Sequence, residues 1–381
     1  MRRIFTYIAV IAFTALPIPM SLAQIPERVL PPKPLYRQAD TVTISFIGDV
    51  MMHQGQIDNA LQGDGTYSFS TYFKEVDGLL SGSDLTVANM EFTLAGPPYT
   101  GYPSFSAPEE YADHAWRSGI DVFLTANNHI LDKSRRGILK TLERYDEMEE
   151  NGRIKYTGCA ADADSDMKHN PLLLAVKGIR IALINFTYGT NQDLECEYPL
   201  VHRIDTAWIG SAIRRAKAAQ VDYIVALPHW GTEYVLTHSA SQRKLALWLA
   251  QQGCDAIIGS HPHVLQDMEC LQVGNESGIG MKEVPVAYSL GNMVSNMSAP
   301  NTRIGMVLKM RIATDCHGNH KLLPLEPVLT WCTRPGTLTQ SYCVIPVKDY
   351  LCRKDLWIAP YDHDNMVDNY ERVKSITNIA D

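Results

Sequence analysis

The stretch TISFIGD, residues 43–49, decides how the fold is read. A β-prone, largely apolar run, Thr43–Gly48, closes on Gly48-Asp49, which predicts a buried strand whose carboxyl end hands an acid to the following loop. His53 follows four residues after Asp49. Working outward, the same arrangement recurs four times. Leu85–Ala88 runs into Asn89-Met90-Glu91, and Val122–Thr125 into Asn127-Asn128-His129, with Asp132 just beyond. Tyr223–Leu227 runs into Pro228-His229-Trp230-Gly231-Thr232-Glu233-Tyr234, and Ala256–Gly259 into Ser260-His261-Pro262-His263. Between these strands the spacing predicts helices over Phe69–Leu80, Glu109–Ser118, Arg135–Glu149, Thr206–Ala219 and Gln242–Gln251. A hairpin, Leu172–Val176 and Arg180–Phe186 joined through Lys177-Gly178, interrupts the series, and strands follow at Val284–Ser289 and Met306–Ala313. The mixture predicts an α/β protein with two packed sheets flanked by helices.

In α/β sheets the loops at the carboxyl ends of the strands line the ligand crevice. Five strand ends here deliver Asp, Glu, Asn or His to that edge. Carboxylate, amide oxygen and imidazole together suit a divalent cation of borderline character, such as zinc, manganese or iron. Taken singly, each motif has a plainer reading. Gly-Asp after a strand is a common turn, Asn-Asn-His can cap a helix, and Glu91 alone is a solvated carboxylate. His-Pro-His is rarer, because the proline fixes both imidazoles in an extended segment. The coincidence at five strand ends is what points to a site. Glu233 and Asp132 are read as partners of the ligating histidines. Trp230 and Tyr234 suit either a pocket wall or the core. The other histidines, at 114, 169, 202, 238, 317, 320 and 363, lie outside such motifs and are read as surface or core.

The 381 residues are 45% apolar and 20% charged, with a formal net charge of −8. That is ordinary for a globular chain and argues against binding nucleic acid through its overall field. Arg2 and Arg3, the apolar run Ile4 to Leu16 and Ser21-Leu22-Ala23 read as a secretory signal covering residues 1–23. The expected location is therefore the periplasm or cell envelope, with no membrane-spanning segment in the mature chain. Residues 24–40 are proline-rich and read as a linker, 41–315 as the domain, and 316–381 as a C-terminal extension packed on it, with a frayed last dozen residues. None of the eight cysteines makes a C-x-x-C zinc pair. An exported chain permits disulfides, and Cys332 and Cys343 flank a turn through Pro335-Gly336, although spacing alone assigns no pair.

With Tyr288-Ser289-Leu290-Gly291-Asn292 added, these six motifs resemble the CapA family, whose members are linked to poly-γ-glutamate capsule synthesis. The resemblance runs from about Thr43 to Val294. It implies a branch of the calcineurin-type metallophosphatases, with a four-layer α/β/β/α sandwich and a site for one or two divalent metal ions. By that resemblance Asp49 would be the first metal-binding aspartate and Glu91 the bridging carboxylate. Asn128 would be a further ligand, and His229, His261 and His263 would complete the set. His129 would be the catalytic residue that stabilises charge or donates a proton. His53, Asn89, Asn127, Asp132, Glu233 and Asn292 would support the ligands or the substrate. The chain departs from the phosphatase pattern twice: Asp49 is followed by Val50-Met51 where Asp-x-His is usual, and Glu91 stands where an aspartate is usual. His53 comes into register only if its loop folds back.

Three readings follow. The first is a metal-dependent hydrolase or transferase acting on an envelope polymer or a phosphoester. The second is a non-catalytic metal-binding accessory for polymer export, working with capsule-synthesis or export proteins. The third is a structural envelope protein. His129, a residue type that moves protons, favours the first.

Overall fold

Strands covered on both faces organise the chain. In the computed structural model, which describes residues 40–274 and 280–379, Leu85–Glu91 and Tyr223–His229 have every residue buried. The expected leader and all but the last residue of the expected linker lie outside the described residues. The larger sheet runs Cys343–Pro346, Glu326–Thr333, Ile304–Thr314, Asp40–Met51, Leu85–Glu91, Val122–Leu124 and Lys155–Thr157. Asn292–Val294 pairs with the end of Asp40–Met51, and His320–Leu322 with Ile304–Thr314. The smaller sheet runs Met268–Gly274, Met281–Ala287, Ala256–Ile258, Tyr223–His229, Ile179–Thr187 and Leu172–Val176. In each sheet four consecutive strands are parallel, so their carboxyl ends open on one edge.

Three cores set the layers. Val42, Ile44, Phe46 and Val87 of the larger sheet share one core with Ile181, Leu183, Val225 and Ile258 of the smaller. On the larger sheet's other face, Ala88, Met90 and Phe123 pack under Tyr111, Ile138 and Leu142 of the helices Glu109–Arg117 and Ser134–Glu150. On the smaller sheet's other face, Ile184, Ala226 and Ile257 pack under Ile209, Ile213, Ala246 and Leu249 of Thr206–Ala218 and Ala240–Gln252. Helix, sheet, sheet, helix is the four-layer α/β/β/α sandwich. Each fully buried aliphatic side chain in these layers contributes about 1.5–3 kcal/mol. Among the described residues no helix is long and apolar enough to cross a membrane.

The strand that opens the fold carries a built-in kink. A Cβ at Gly48 would lie 1.8 Å from the Gly291 carbonyl oxygen, so only glycine lets the two backbones approach. Asp49 N–H then donates to that carbonyl at 2.9 Å, and the pairing with Leu85–Glu91 shifts register between Ile47 and Asp49. The irregularity re-aims Asp49 at the sheet edge.

Two expectations need correction. Phe69–Leu80 is not a helix. Only Asp77–Ser81 is helical, and the residues before it form successive turns, with Tyr72 N–H donating to Phe69 O and Val76 N–H to Phe73 O. The apolar spacing came from burial of Phe69, Tyr72, Phe73 and Val76 in a stretch of poor helix formers. The described part of the last dozen residues, 370–379, is not frayed, because Pro360–Thr377 is a helix that buries Met366, Tyr370 and Val373. Its Asp362 receives two bonds from Arg303, at 2.5 and 2.7 Å, and Arg303 lies 4.3 Å over the Trp331 ring. Residues 320–346 also supply three strands to the larger sheet. The pairing of Cys332 and Cys343 that spacing left open is not made: both are free thiols on neighbouring strands whose side chains enter different cores on opposite faces of the sheet, a geometry no disulfide spans.

Candidate metal centre

Asp49, fully buried, is held by three neighbours. Asn89 Nδ2 donates to its Oδ1 at 2.7 Å, His263 Nδ1 lies 3.1 Å from its Oδ2, and the His261 backbone N–H approaches at 3.4 Å. Asn89 Nδ2 also reaches Glu91 Oε2 at 3.1 Å, so one amide spaces the two carboxylates. Asn127 steadies that amide: its Nδ2 donates to Asn89 Oδ1 at 3.3 Å and to the Met90 carbonyl at 2.9 Å.

Two ligand sets share Glu91. Asp49, Glu91 and His229 bring ligand atoms within 4.8 Å of one another, and so do Glu91, His261 and His263. His229 Nε2 meets Asn128 Oδ1 at 2.8 Å, which places Asn128 with the first set, while Ser260 Oγ lies 2.9 Å from His229 Nδ1. Asn292 Oδ1, 3.0 Å from His263 Nδ1, orients the ring in the second. His261 and His263 are not extended. Their φ values of 100° and 58° lie in the left-handed region, a strained backbone of the kind found at ligand clamps.

Among the side chains of the two ligand sets, two buried atoms have no hydrogen-bond partner: Glu91 Oε1 and His261 Nδ1. Leaving such atoms unsatisfied costs about 1–3 kcal/mol each, more for a charged group. The protonation balance is equally unsettled. Burial first, and then the Asp49 charge, pushes Glu91 well above the usual carboxylate range. Burial first, then the neighbouring histidines, pushes His229 well below the usual imidazole value and His261 down to about 3. Burial works against charge on His263, yet the Asp49 hydrogen bond and charge raise it. Two imidazoles held neutral, His229 and His261, beside carboxylates that repel one another are a donor set a divalent cation satisfies, so the residues fit the expected metal.

His129 stands beside this set. The 2.7 Å contact from its Nδ1 to Asp132 Oδ2 fixes the tautomer, leaving Nε2 for chemistry. Asp132 also accepts from Phe105 N–H at 2.8 Å, so the acid is pinned as well. Phe105 packs edge-on against His129 at 4.6 Å. Asn127 Oδ1 accepts from the His129 backbone N–H at 3.2 Å.

Two expected residues take other places. His53 caps the helix Gln54–Ala60, with its Nδ1 near Gln56 Oε1 and Asn296 N–H, both at 3.3 Å. Burial lowers it to about 4, and it joins neither ligand set. The loop turns into a helix at this point, which keeps His53 out of register. Glu233 is exposed and acts on the ligating His263 through its charge, which raises that imidazole, after the larger effects of burial and Asp49. Asp132, for its part, binds His129 instead of a ligand. Trp230 is buried, with its indole N–H donating to the Tyr288 carbonyl at 3.0 Å, whereas Tyr234 is 45% exposed.

Several functional neighbours were missed. Asn185, buried in Ile179–Thr187, accepts from the Thr125 and Ala126 N–H groups at 3.1 and 2.8 Å and donates to the Leu227 carbonyl at 2.8 Å. It thereby clamps the Asn127-Asn128-His129 loop to the other sheet. Asn191 lies 3.2 Å from His129 Nδ1, and the Tyr188 ring lies 4.5 Å from His261. A polar residue within an apolar, largely buried strand, and the residues after that strand's carboxyl end, were the available signals.

Comparison with known proteins fits this picture. The chain is 28% identical over 313 residues to "Capsule biosynthesis protein CapA" of Bacillus anthracis, covering 79% of this chain and 70% of that one. It is 26% identical over 298 residues to "PGA biosynthesis protein CapA" of Bacillus subtilis, covering 75% and 72%. Among solved structures, the Haemophilus influenzae NAD nucleotidase overlaps with a TM-score of 0.46 at 16% identity, over 89% of this chain and 64% of that one. A putative 5'-nucleotidase from Staphylococcus aureus overlaps with a TM-score of 0.48 at 13% identity, over 86% and 58%. The chain thus spans less than two thirds of either structure, and the layer order rests on its own sheets and cores. The pattern of the family "Bacterial capsule synthesis protein PGA_cap" matches residues 43–297, the run that supplies every clustered side chain from Asp49 to Asn292, and the chain belongs to that family.

Proposed function

We propose that the chain is an exported, metal-dependent hydrolase or transferase that acts on an envelope polymer or a phosphoester in capsule synthesis. The observation that carries this reading is the pair of ligand sets joined at Glu91, whose buried Oε1 has no hydrogen-bond partner, beside the His129–Asp132 pair. Asp49, Glu91, Asn128, His229, His261 and His263 would hold one or two divalent ions. Bound there, such ions would polarise the attacked centre and lower the pKa of water.

The remaining work falls to this chain's own side chains. Asn89 and Asn292 fix the directions of Asp49, Glu91 and His263, so the ligands need little rearrangement. Asp132 holds the His129 ring and offers a counter-charge to its imidazolium, and Nε2 then gives its proton to the departing oxygen or nitrogen. Near-complete burial of His129 and His263 limits stray water around that transfer. Export is supported by the basic and apolar N-terminal sequence of residues 1–23.

The test is turnover by the metal-loaded chain on phosphoester and γ-glutamyl substrates, with His129→Gln as the control. Turnover abolished by the substitution, with ion content unchanged, supports the reading. Bound ions without turnover on any substrate would favour the accessory role in polymer export.

A further inference from the structure

We infer that a second pocket beside the metal centre binds an apolar-bodied group carrying one negative charge, on the substrate portion next to the attacked bond. Its placement on the substrate rests on the metal-centre reading; the pocket itself does not. The cavity has a volume of about 510 Å³ and is walled by Tyr188, Ile204, Trp230, Leu245 and Trp248. That is within the size range of small-molecule sites, which are mostly apolar with a few placed polar groups.

The walls are firm. Trp230 is buried and its indole N–H is already bonded to the Tyr288 carbonyl. Lys244, Leu245 and Trp248 are spaced to share one face of the helix Ala240–Gln252. Lys244 is the one side chain charged at neutral pH among the described residues lining the cavity, and it is exposed. An anionic end on the ligand matches that single charge.

Tyr188 joins this pocket to the centre. Its backbone N–H donates to the His229 carbonyl at 2.9 Å, and its ring lies 4.5 Å from His261 and nearly parallel to His229 at 6.3 Å. The same half-exposed ring lines the cavity. A substrate held at the centre therefore meets the pocket across one aromatic ring.

The experiment is a fluorescence titration of the full chain with anilinonaphthalene sulfonate, an aromatic anion, and with uncharged phenylnaphthylamine. Saturable one-to-one binding of the sulfonate is expected. Trp248→Ala should weaken both dyes about tenfold. Lys244→Gln, at an exposed position that leaves the fold intact, should weaken the sulfonate about fivefold and the neutral dye not at all. Neither substitution should change ion content, which separates failure of this inference from failure of the metal centre. Sulfonate binding that is absent, or indifferent to Lys244→Gln, overturns the pocket assignment. With the metal-loaded chain, naphthyl phosphate should displace the dye where methyl phosphate does not. Displacement by both alike, or by neither, overturns the link to the reacting bond.

Discussion

Two buried clusters in this protein contain the same residue types and behave in opposite ways. Around Glu91, two carboxylates and three imidazoles converge, yet Glu91 Oε1 and His261 Nδ1 have no hydrogen-bond partner, and the nearest imidazole nitrogen to Oε1 is His263 Nε2 at 3.7 Å. Around Glu149, another candidate set of Asp146, Glu149 and His169 gathers, and both Glu149 oxygens are taken. Lys155 Nζ donates to Oε1 at 2.8 Å, while Lys168 Nζ and His169 Nε2 reach Oε2 at 2.5 and 2.9 Å. Tyr156 O–H donates to Asp146 at 2.7 Å. Burial would raise Glu149, but these hydrogen bonds hold it well below the usual carboxylate range, while Glu91 is driven up. The contrast teaches that composition alone does not identify a metal site. What distinguishes one is a buried acid with an oxygen that no donor of the protein satisfies.

The predictions probe that contrast, beginning with the largest expected effect. His129→Gln should lower turnover by about 10²–10⁴-fold while ion content, read by mass spectrometry, stays constant. Asn292→Ala, which frees the His263 ring, should weaken ion affinity by about 10- to 100-fold in a competitive chelator titration. Glu149→Gln should cost about 2 kcal/mol in urea unfolding at neutral pH and leave ion binding untouched.

That last cost carries a pH signature. The folded value of Glu149 is depressed, so its stabilisation is present above the ordinary 4.5 and is lost as pH falls toward the folded value. The gap between wild type and Glu149→Gln should therefore narrow in acid below about pH 4.5, and a gap independent of pH would contradict the ion-paired role. Lys168→Ala should have the smallest effect, under about 1 kcal/mol, because that ammonium is half exposed.

The strand-end pattern made much of the centre legible. Asp49, Glu91, Asn128, His129, His229, His261 and His263 each follow a short apolar run, and parallel strands bring such ends together regardless of loop detail. What was not legible depends on tertiary contact. Asn185 matters because it bridges two sheets, a relation no local window contains. The helix Pro360–Thr377 hid behind a polar sequence whose thin stripe of Met366, Tyr370 and Val373 is decided by packing. The left-handed backbone at His261 and His263 is likewise set by the fold around Pro262.

The most direct test of the central claim is ion content with thermal unfolding for wild type, Glu91→Gln and Glu149→Gln, each loaded and then stripped with chelator. Glu91→Gln should lose bound zinc, manganese or iron, and should unfold no lower than wild type once both are stripped, because it removes a carboxyl group whose ionisation burial and Asp49 oppose. Glu149→Gln should keep its ions and unfold lower. Full ion content in Glu91→Gln, or ion loss confined to Glu149→Gln, would contradict the account.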